Sequence, residues 1–190
     1  MATLMYTMLM SLDGYIADTR GNFDWARPDE EVHTLINHFT RPVGTFLLGR
    51  RMYEVLSAWE TLGVSTQPAF IREFAGIWRG ADKVVYSRTL SSVTTARTRI
   101  ERAFTIAAVQ QMKAAADRDF FLGGANLAAQ ALEAGLVDVC HFVIAPVIVG
   151  DGTSAFPEGV RYSLALGSER RFANGMVYLS YGVTHGRRGT

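Results

Sequence analysis

The clearest hydrophobic pattern in the chain lies in its second half. The apolar run at residues 120–122 stops at Gly123 and Gly124, and an alanine-rich stretch with helical spacing follows at residues 126–134. Residues 137–149 are then almost continuously apolar, which predicts a long strand covered on both faces of a sheet. Strand, glycine turn, helix and strand in this order predict one βαβ unit with a right-handed crossover.

Three predicted strands end in residues that suit an anion. These strand ends are Gly49-Arg50-Arg51 after residues 45–48, Ser87-Arg88-Thr89 after residues 84–86, and the pair Gly123-Gly124. A helix N-terminus carries partial positive charge, so two arginines beside it favour a bound anion, and arginine binds phosphate in a fork. Each set is also compatible with an ordinary solvated turn. One extended phosphorylated ligand would use all three, and a dinucleotide is the obvious candidate, although the Gly-x-Gly-x-x-Gly fingerprint is absent.

Acidic residues in the first third of the chain offer candidate positions for chemistry. The first predicted strand, residues 4–10, ends at a Ser-Leu-Asp-Gly turn, where Asp13 either only closes the turn or faces a ligand. Pro28 and the acids after it predict a helix start. Glu30, Glu31 and His33 are then either solvent-facing residues of the first turn or a proton relay at the mouth of a substrate cleft.

The last third of the chain predicts antiparallel pairing. Asn174-Gly175 is a hairpin signal, and residues 176–183 alternate in side-chain size as a strand does. Residues 160–171 predict a strand, a turn and the beginning of another strand. The predicted fold is therefore α/β, with a mixed sheet that is parallel in its middle and antiparallel at its C-terminal edge.

Composition and charge narrow the class of protein. The 190 residues are 48% hydrophobic and 19% charged, which predicts one globular domain over residues 1–190, with an ordered core at about residues 3–183. The net charge of +1 predicts neither a nucleic-acid nor a membrane partner. Cys140 is the single cysteine, so we expect a cytoplasmic protein without an internal disulfide. The histidines lack metal-ligand spacing, and no metal site is predicted.

Five blocks of the sequence resemble dihydrofolate-reductase-like proteins and occur in the same order. They are SLDGYIA, LLGRRMYE, VVYSRTL, FFLGGANLAAQAL and VDVCHFVIAPVIVGDGTSAF, and the resemblance covers about residues 3–182. The closer similarity is to the C-terminal reductase domain of the bifunctional riboflavin-biosynthesis deaminase–reductase and to its stand-alone relatives. This resemblance implies a three-layer fold, with helices on both faces of a mixed, mostly parallel sheet and an antiparallel C-terminal hairpin.

The resemblance also implies an NADPH-dependent reductase and suggests the residues that bind its cofactor. By this similarity, the phosphates would be held by Gly49, Arg50, Arg51 and Met52, the adenosine 2′-phosphate by Ser87, Arg88 and Thr89, and the pyrophosphate and nicotinamide side by Gly123, Gly124, Ala125, Asn126 and Leu127. In relatives the Gly-Gly peptide is often cis. Asp13 would face the substrate, and the dihydrofolate reductase acid falls near Glu30, Glu31 or His33. We take Asp13 and Glu31 as the catalytic candidates.

The reaction implied by the resemblance is hydride transfer to a C=N or C=O bond of a small pyrimidine, pterin or flavin-like ring. A 5-amino-6-ribosylaminouracil phosphate is one such substrate. Leu122 stands where riboflavin-pathway reductases carry an acid, so the substrate stays open. The alternatives are a true dihydrofolate reductase, a non-catalytic NADPH-binding protein and an α/β domain with no ligand. Because the family often dimerises, we expect a homodimer.

Overall fold

A central sheet with flanking helices accounts for most of the chain. The computed structural model describes residues 1–63, 66–158 and 161–184. The strands in these ranges are Leu4–Ser11 (β1), Tyr15–Ala17 (β2), Val43–Gly49 (β3), Asp82–Tyr86 (β4), Thr98–Glu101 (β5), Asp119–Gly123 (β6), Val139–Ala145 (β7), Thr153–Ser154 (β8), Ser163–Arg171 (β9) and Val177–Thr184 (β10). The α-helices are Glu30–Thr40 (α1), Arg50–Leu56 (α2), Ala58–Thr61 (α3), Ala69–Gly80 (α4), Ile106–Ala115 (α5) and Ala125–Glu133 (α6), and a short 3₁₀ helix covers Asp24–Ala26.

The sheet is mixed, as the sequence predicts. Its eight strands follow the order β5-β4-β3-β6-β1-β7-β10-β9. The six strands from β5 to β7 are parallel, whereas β10 runs antiparallel to β7 and β9 runs antiparallel to β10. The pair β2 and β8 forms a separate antiparallel sheet of two short strands. The predicted α/β class and the antiparallel C-terminal hairpin are confirmed.

Alternate side chains of β1 enter two different cores, one on each face of the sheet. Leu4 and Tyr6 are fully buried and belong to the core that includes residues of α5 and α6. Met5 belongs to the other core, together with residues of α1 and α4. This alternation follows from the two-residue period of a strand. Helices therefore cover both faces of the sheet, and the expected three-layer arrangement is confirmed.

Helix α1 begins where the chain supplies a side-chain cap. The predicted start of α1 at Pro28 is two residues early, because Asp29 is the N-cap and its carboxylate accepts a hydrogen bond of 3.0 Å from the Val32 N–H. Val32 and Ile36 then bury the apolar face of α1. The longest helix in the described ranges, α4, has 12 residues, and no helix there is long and apolar enough to span a bilayer.

Carboxylates connect the amino ends of the central strands. Asp119 accepts a hydrogen bond of 2.8 Å from the Thr3 N–H, and Asp138 accepts one of 2.7 Å from the Leu4 N–H. Asp138 also pairs with the buried Lys113 ammonium. These contacts occupy the amino edge of the sheet, while the glycine turns singled out above lie at the opposite, carboxyl edge.

Two predicted strands are wrong in extent. The run at residues 137–149 contributes only Val139–Ala145 to the sheet, because Pro146 has no N–H to donate and the chain turns away there. The sequence predicts a turn within residues 160–171, but Ser163–Arg171 is one strand at the edge of the sheet, whose pairing with β10 shifts register at Gly167. Residue 160 itself lies outside the described residues.

Candidate functional site

The three glycine or hydroxyl turns lie side by side at the carboxyl edge of the sheet. Strands β4, β3 and β6 are consecutive neighbours, so that Gly49 stands opposite Tyr86 and Leu48 stands opposite Gly123. The residues that follow β4, namely Ser87, Arg88 and Thr89, therefore adjoin the turn at Gly49, which adjoins the turn at Gly123. Because all three strands are parallel, this edge is where open α/β sheets bind ligands.

The turns at Gly49 and Gly124 approach each other closely. A β-carbon on Gly124 would lie 3.5 Å from the Gly49 nitrogen and 3.6 Å from its Cα. Gly124 has a φ of +107°, which L residues rarely adopt, and it is the N-cap of α6. The peptide between Gly123 and Gly124 is trans, and no peptide in the described ranges is cis, so the cis form known from relatives is not found.

The first turn of α6 presents backbone donors at this point. Gly124 has no side chain to cap the helix, and the first N–H groups of a helix lack partners within it. Ala125 and Asn126 open the helix, and the Asn126 side chain is exposed and accepts a hydrogen bond of 3.1 Å from Gln130. Leu127, in contrast, is a core residue that is 5% exposed, so only its backbone is available to a ligand.

A hydrogen bond of Arg50 connects the turns that follow β3 and β4. The Arg50 guanidinium donates to the Glu54 carboxylate at 2.7 Å and to the Thr89 hydroxyl at 3.0 Å, which connects the start of α2 to the turn after β4. Arg51 and Arg88 are both exposed. Met52 packs against both cores of the sheet from its position in α2.

The turn after β4 is held in shape by Ser87 and Arg102. The Ser87 hydroxyl accepts hydrogen bonds from the Thr89 and Leu90 N–H groups, so its own proton stays available for donation. The Arg102 guanidinium donates to the carbonyls of Ser87 and Leu90 at 3.0 and 2.7 Å. The sequence predicts a basic and polar strand with a loop on the surface over residues 94–102, without a role for Arg102. The contact of Arg102 with this turn follows from the pairing of β5 with β4.

Asp13 closes a turn, and its carboxylate accepts hydrogen bonds from three donors there. It accepts hydrogen bonds from the Ser11 hydroxyl at 2.6 Å and from the N–H groups of Val149 and Gly150, the latter at 2.7 Å. These bonds, above all the one from Ser11, lower the pKa of Asp13 to about 2. At neutral pH the group is ionised, so it is not suited to donate a proton.

Glu31 and His33 lie in separate surroundings. Glu31 pairs with Arg170 of β9 at 2.6 Å, and both side chains are partly exposed. The His33 ring is buried among Trp59, Phe70 and Phe74, and burial lowers its pKa. The two residues are thus not arranged as one relay.

Trp25 offers a buried donor near β1 and β7. It lies in the 3₁₀ helix over β1 and β7 and packs against the core on the α1 face. Its indole Nε1–H is buried and has no hydrogen-bond partner among the described residues. The sequence shows an aromatic loop here, but it carries no signal of an unpaired donor.

The arrangement of strands and turns is that of the dihydrofolate-reductase-like class. Within this class, the family model described as the RibD C-terminal domain matches residues 2–178, and the chain belongs to this reductase-like family. The chain is 26% identical over 180 residues to the protein YyaP of Bacillus subtilis (strain 168), covering 94% of this chain and 93% of that protein.

Solved structures show the same fold. A Shewanella sp. PV-4 protein named for riboflavin biosynthesis matches with a TM-score of 0.76 at 17% identity, over 96% of this chain and 99% of that one. A pyrimidine reductase-like protein from Corynebacterium diphtheriae matches with a TM-score of 0.67 at 13% identity, over 97% and 93%. The diaminohydroxyphosphoribosylaminopyrimidine deaminase/5-amino-6-(5-phosphoribosylamino)uracil reductase of Thermotoga maritima matches with a TM-score of 0.65 at 16% identity. That match covers 96% of this chain and 57% of the longer protein.

Proposed function

We propose that this protein is a cytoplasmic, NADPH-dependent reductase of a small heterocyclic substrate. The observation that carries the proposal is the row of adjacent strand ends, with Gly49, Ser87 and Gly123 at the ends of three neighbouring strands. From β4 to β7 the carboxyl edge spans four strand spacings, or roughly 19 Å, which suits an extended dinucleotide. Membership of the RibD C-terminal domain family supports the same assignment.

The residues at this edge fit the parts of NADPH. The close approach of Gly124 to Gly49 leaves backbone N–H groups of α6 beside a turn that carries Arg50 and Arg51, where a pyrophosphate would be held. The Ser87 hydroxyl proton and the exposed Arg88 guanidinium would bind the 2′-phosphate. NADPH itself would supply the hydride, and the chain would align donor and acceptor.

A pyrimidine is the substrate class that the relatives favour. Two of the proteins with the same fold are named as a pyrimidine reductase-like protein and as a 5-amino-6-(5-phosphoribosylamino)uracil reductase. On this chain, the buried Trp25 N–H is a free donor that would suit a ring carbonyl. Asp13 would stay ionised during the reaction, so the proton would come from water or another group.

A non-catalytic NADPH-binding protein is the second candidate. It is favoured by the state of the two expected catalytic acids, because Asp13 is held as an ionised turn residue and Glu31 is paired with Arg170. A true dihydrofolate reductase has less support, since Glu31 is engaged at the surface.

Titration with NADPH and with NADH, followed by nicotinamide fluorescence, tests the proposal. We expect saturable binding of NADPH that is at least about tenfold tighter than that of NADH, since the 2′-phosphate adds charge-assisted hydrogen bonds. A screen of pyrimidines, pterins and flavins for loss of NADPH absorbance then distinguishes a reductase, which consumes NADPH, from a non-catalytic NADPH-binding protein, which does not. Absence of binding by either nucleotide would contradict the proposal.

We further propose that the protein forms a homodimer through β9. All nine residues of Ser163–Arg171 are exposed, and Leu166 is 55% exposed on this edge strand. An unpaired edge with exposed leucines favours pairing with a second copy. Light scattering is expected to give a dimer mass for the wild type and a monomer mass for Leu166→Glu. A monomeric wild type would contradict this.

A further inference from the structure

The Asp13 carboxylate joins two segments that are far apart in sequence. Its Oδ2 accepts from the Gly150 N–H at 2.7 Å and its Oδ1 accepts from the Val149 N–H at 3.1 Å, across more than 130 residues. Ser11 donates to the same carboxylate and in turn accepts from the Tyr15 N–H at 2.9 Å. Three donors occupy most of the lone pairs that a carboxylate offers. We call residues 11–17 and 147–155 the paired segments.

Further contacts hold the paired segments together along their length. The Leu12 N–H donates to the Val147 carbonyl at 2.8 Å, and the Ala155 N–H donates to the Gly14 carbonyl at 2.8 Å. Beyond the Gly14–Ala155 contact, the strands β2 and β8 pair, with Tyr15 opposite Ser154 and Ala17 opposite Thr153. Gly152 packs so closely that a β-carbon would lie 2.0 Å from the Ala17 carbonyl oxygen. Asp13 is the one side chain of this set whose carboxylate bridges both segments.

Large apolar side chains stand exposed where Asp13 makes its bridge. Leu12 is 65% exposed and Ile148 is 72% exposed. They follow the ends of β1 and β7, and β1 is the neighbour of β6, whose last residue is Gly123. If the adenosine end of a dinucleotide lies at β4 and its pyrophosphate at β3 and β6, its nicotinamide end reaches β1 and β7. Exposed apolar groups at that point suit the faces of a neutral dihydronicotinamide ring.

We propose that Asp13 is a positioning residue, which fixes the turn after β1 to the segment after β7 and so presents Leu12 and Ile148 as a preformed apolar wall for the nicotinamide of NADPH. This inference rests on the proposed function for the identity of the ligand. It assigns Asp13 a different role from the substrate contact that the family resemblance implies. The carboxylate acts through the two segments that it joins, and it need not touch the reacting atoms.

Amide hydrogen exchange of the ligand-free protein tests the bridge alone. In Asp13→Ala we expect the amides of Val149 and Gly150 to exchange about tenfold faster or more, the loss expected for a hydrogen bond to a charged acceptor. Asp13→Asn keeps one acceptor oxygen and is expected to be intermediate. Asp151→Ala is the matched control, because among the described residues Asp151 accepts only from the Gly152 N–H, within its own segment. Unchanged exchange in Asp13→Ala would overturn the inference whether or not NADPH binds.

Titration of the same variants with two ligands tests the consequence for the site. For Asp13→Ala we expect weaker NADPH binding, by about tenfold, and a smaller fluorescence enhancement of the bound nicotinamide. Binding of adenosine 2′,5′-bisphosphate, which lacks the nicotinamide, is expected to stay as in the wild type. Equal loss for both ligands, or unchanged fluorescence, would overturn the positioning role. Failure of the wild type to bind NADPH would contradict the proposed function. The exchange experiment would still show whether Asp13 joins the paired segments.

Discussion

His141 makes the stability of the protein depend on pH in a way that can be calculated. The side chain lies on β7, is 9% exposed and stacks on Phe39 with ring centroids 4.6 Å apart. Its Nδ1 lies 2.7 Å from the Tyr178 hydroxyl oxygen. Burial lowers the pKa of His141 from 6.5 to about 4, because the sheet and α1 exclude the water that would solvate an imidazolium.

The sign and size of the effect follow from linkage. Between pH 4 and 6.5 the unfolded chain binds a proton at this position and the folded chain does not. The free energy of unfolding is therefore at its full value above pH 6.5 and falls as the pH drops toward 4. At about 1.4 kcal/mol for each pKa unit, the loss attributable to His141 at pH 4 is about 3 kcal/mol.

His141→Gln removes the titration and keeps a polar group near Tyr178. The variant is expected to be less stable than the wild type at pH 7, since it lacks the stacked ring. Between pH 7 and pH 4, however, its free energy of unfolding should fall by about 3 kcal/mol less than that of the wild type. Urea unfolding followed by circular dichroism at several pH values measures both quantities. His33 is also buried and remains in both proteins, so its contribution cancels.

His38→Gln is the matched control, because His38 is exposed in the last turn of α1. It is expected to follow the wild-type dependence on pH. If His141→Gln lost as much stability between pH 7 and pH 4 as the wild type does, the reasoning that burial keeps His141 neutral would be refuted.

Three further substitutions test the carboxyl edge of the sheet. Gly124→Ala is expected to lower the free energy of unfolding in urea by about 1–3 kcal/mol, because a φ of +107° strains alanine. Gly76→Ala is the control and should not destabilise the protein, because Gly76 lies in open space on α4. Equal stability of Gly124→Ala and wild type would contradict this. Arg88→Ala is expected to weaken NADPH about tenfold and NADH much less in fluorescence titrations, and equal losses would refute the 2′-phosphate assignment. Arg102→Lys keeps the charge but removes the guanidinium that donates to the carbonyls of Ser87 and Leu90. We therefore expect weaker NADPH binding and little change in NADH binding.

The strands and the hairpin can be predicted from the sequence because each depends on a local pattern of residues. Apolar runs that end at Gly49 and Gly123 mark parallel strands, and Asn174-Gly175 marks the hairpin, each through a signal a few residues long. The end of β7 does not follow from hydrophobicity, because the apolar run continues past Pro146, while the strand ends at Ala145, before the proline that lacks an N–H.

The candidate site could be predicted only where its parts are local. The anion-binding turns follow from residues adjacent in sequence, and the structure brings them together through strand order. The environment of Asp13 could not be predicted, because its partners Val149 and Gly150 lie at the other end of the chain. Arg102 carries no local signal either, since its role depends on the pairing of β5 with β4.

The central place of β1 in the sheet affects how the protein must be made. In the described part of the chain, β1 is the strand that joins β6 to β7, with Leu4 opposite Phe120 and Met5 opposite Val139. At about 5–20 residues per second, a ribosome needs roughly 6–23 s to extend the chain from Leu4 to Phe120. During that time β1, an almost entirely buried strand, has left the ribosome and waits without β6 and β7. The order of synthesis thus opposes the order in which the strands of the sheet are joined.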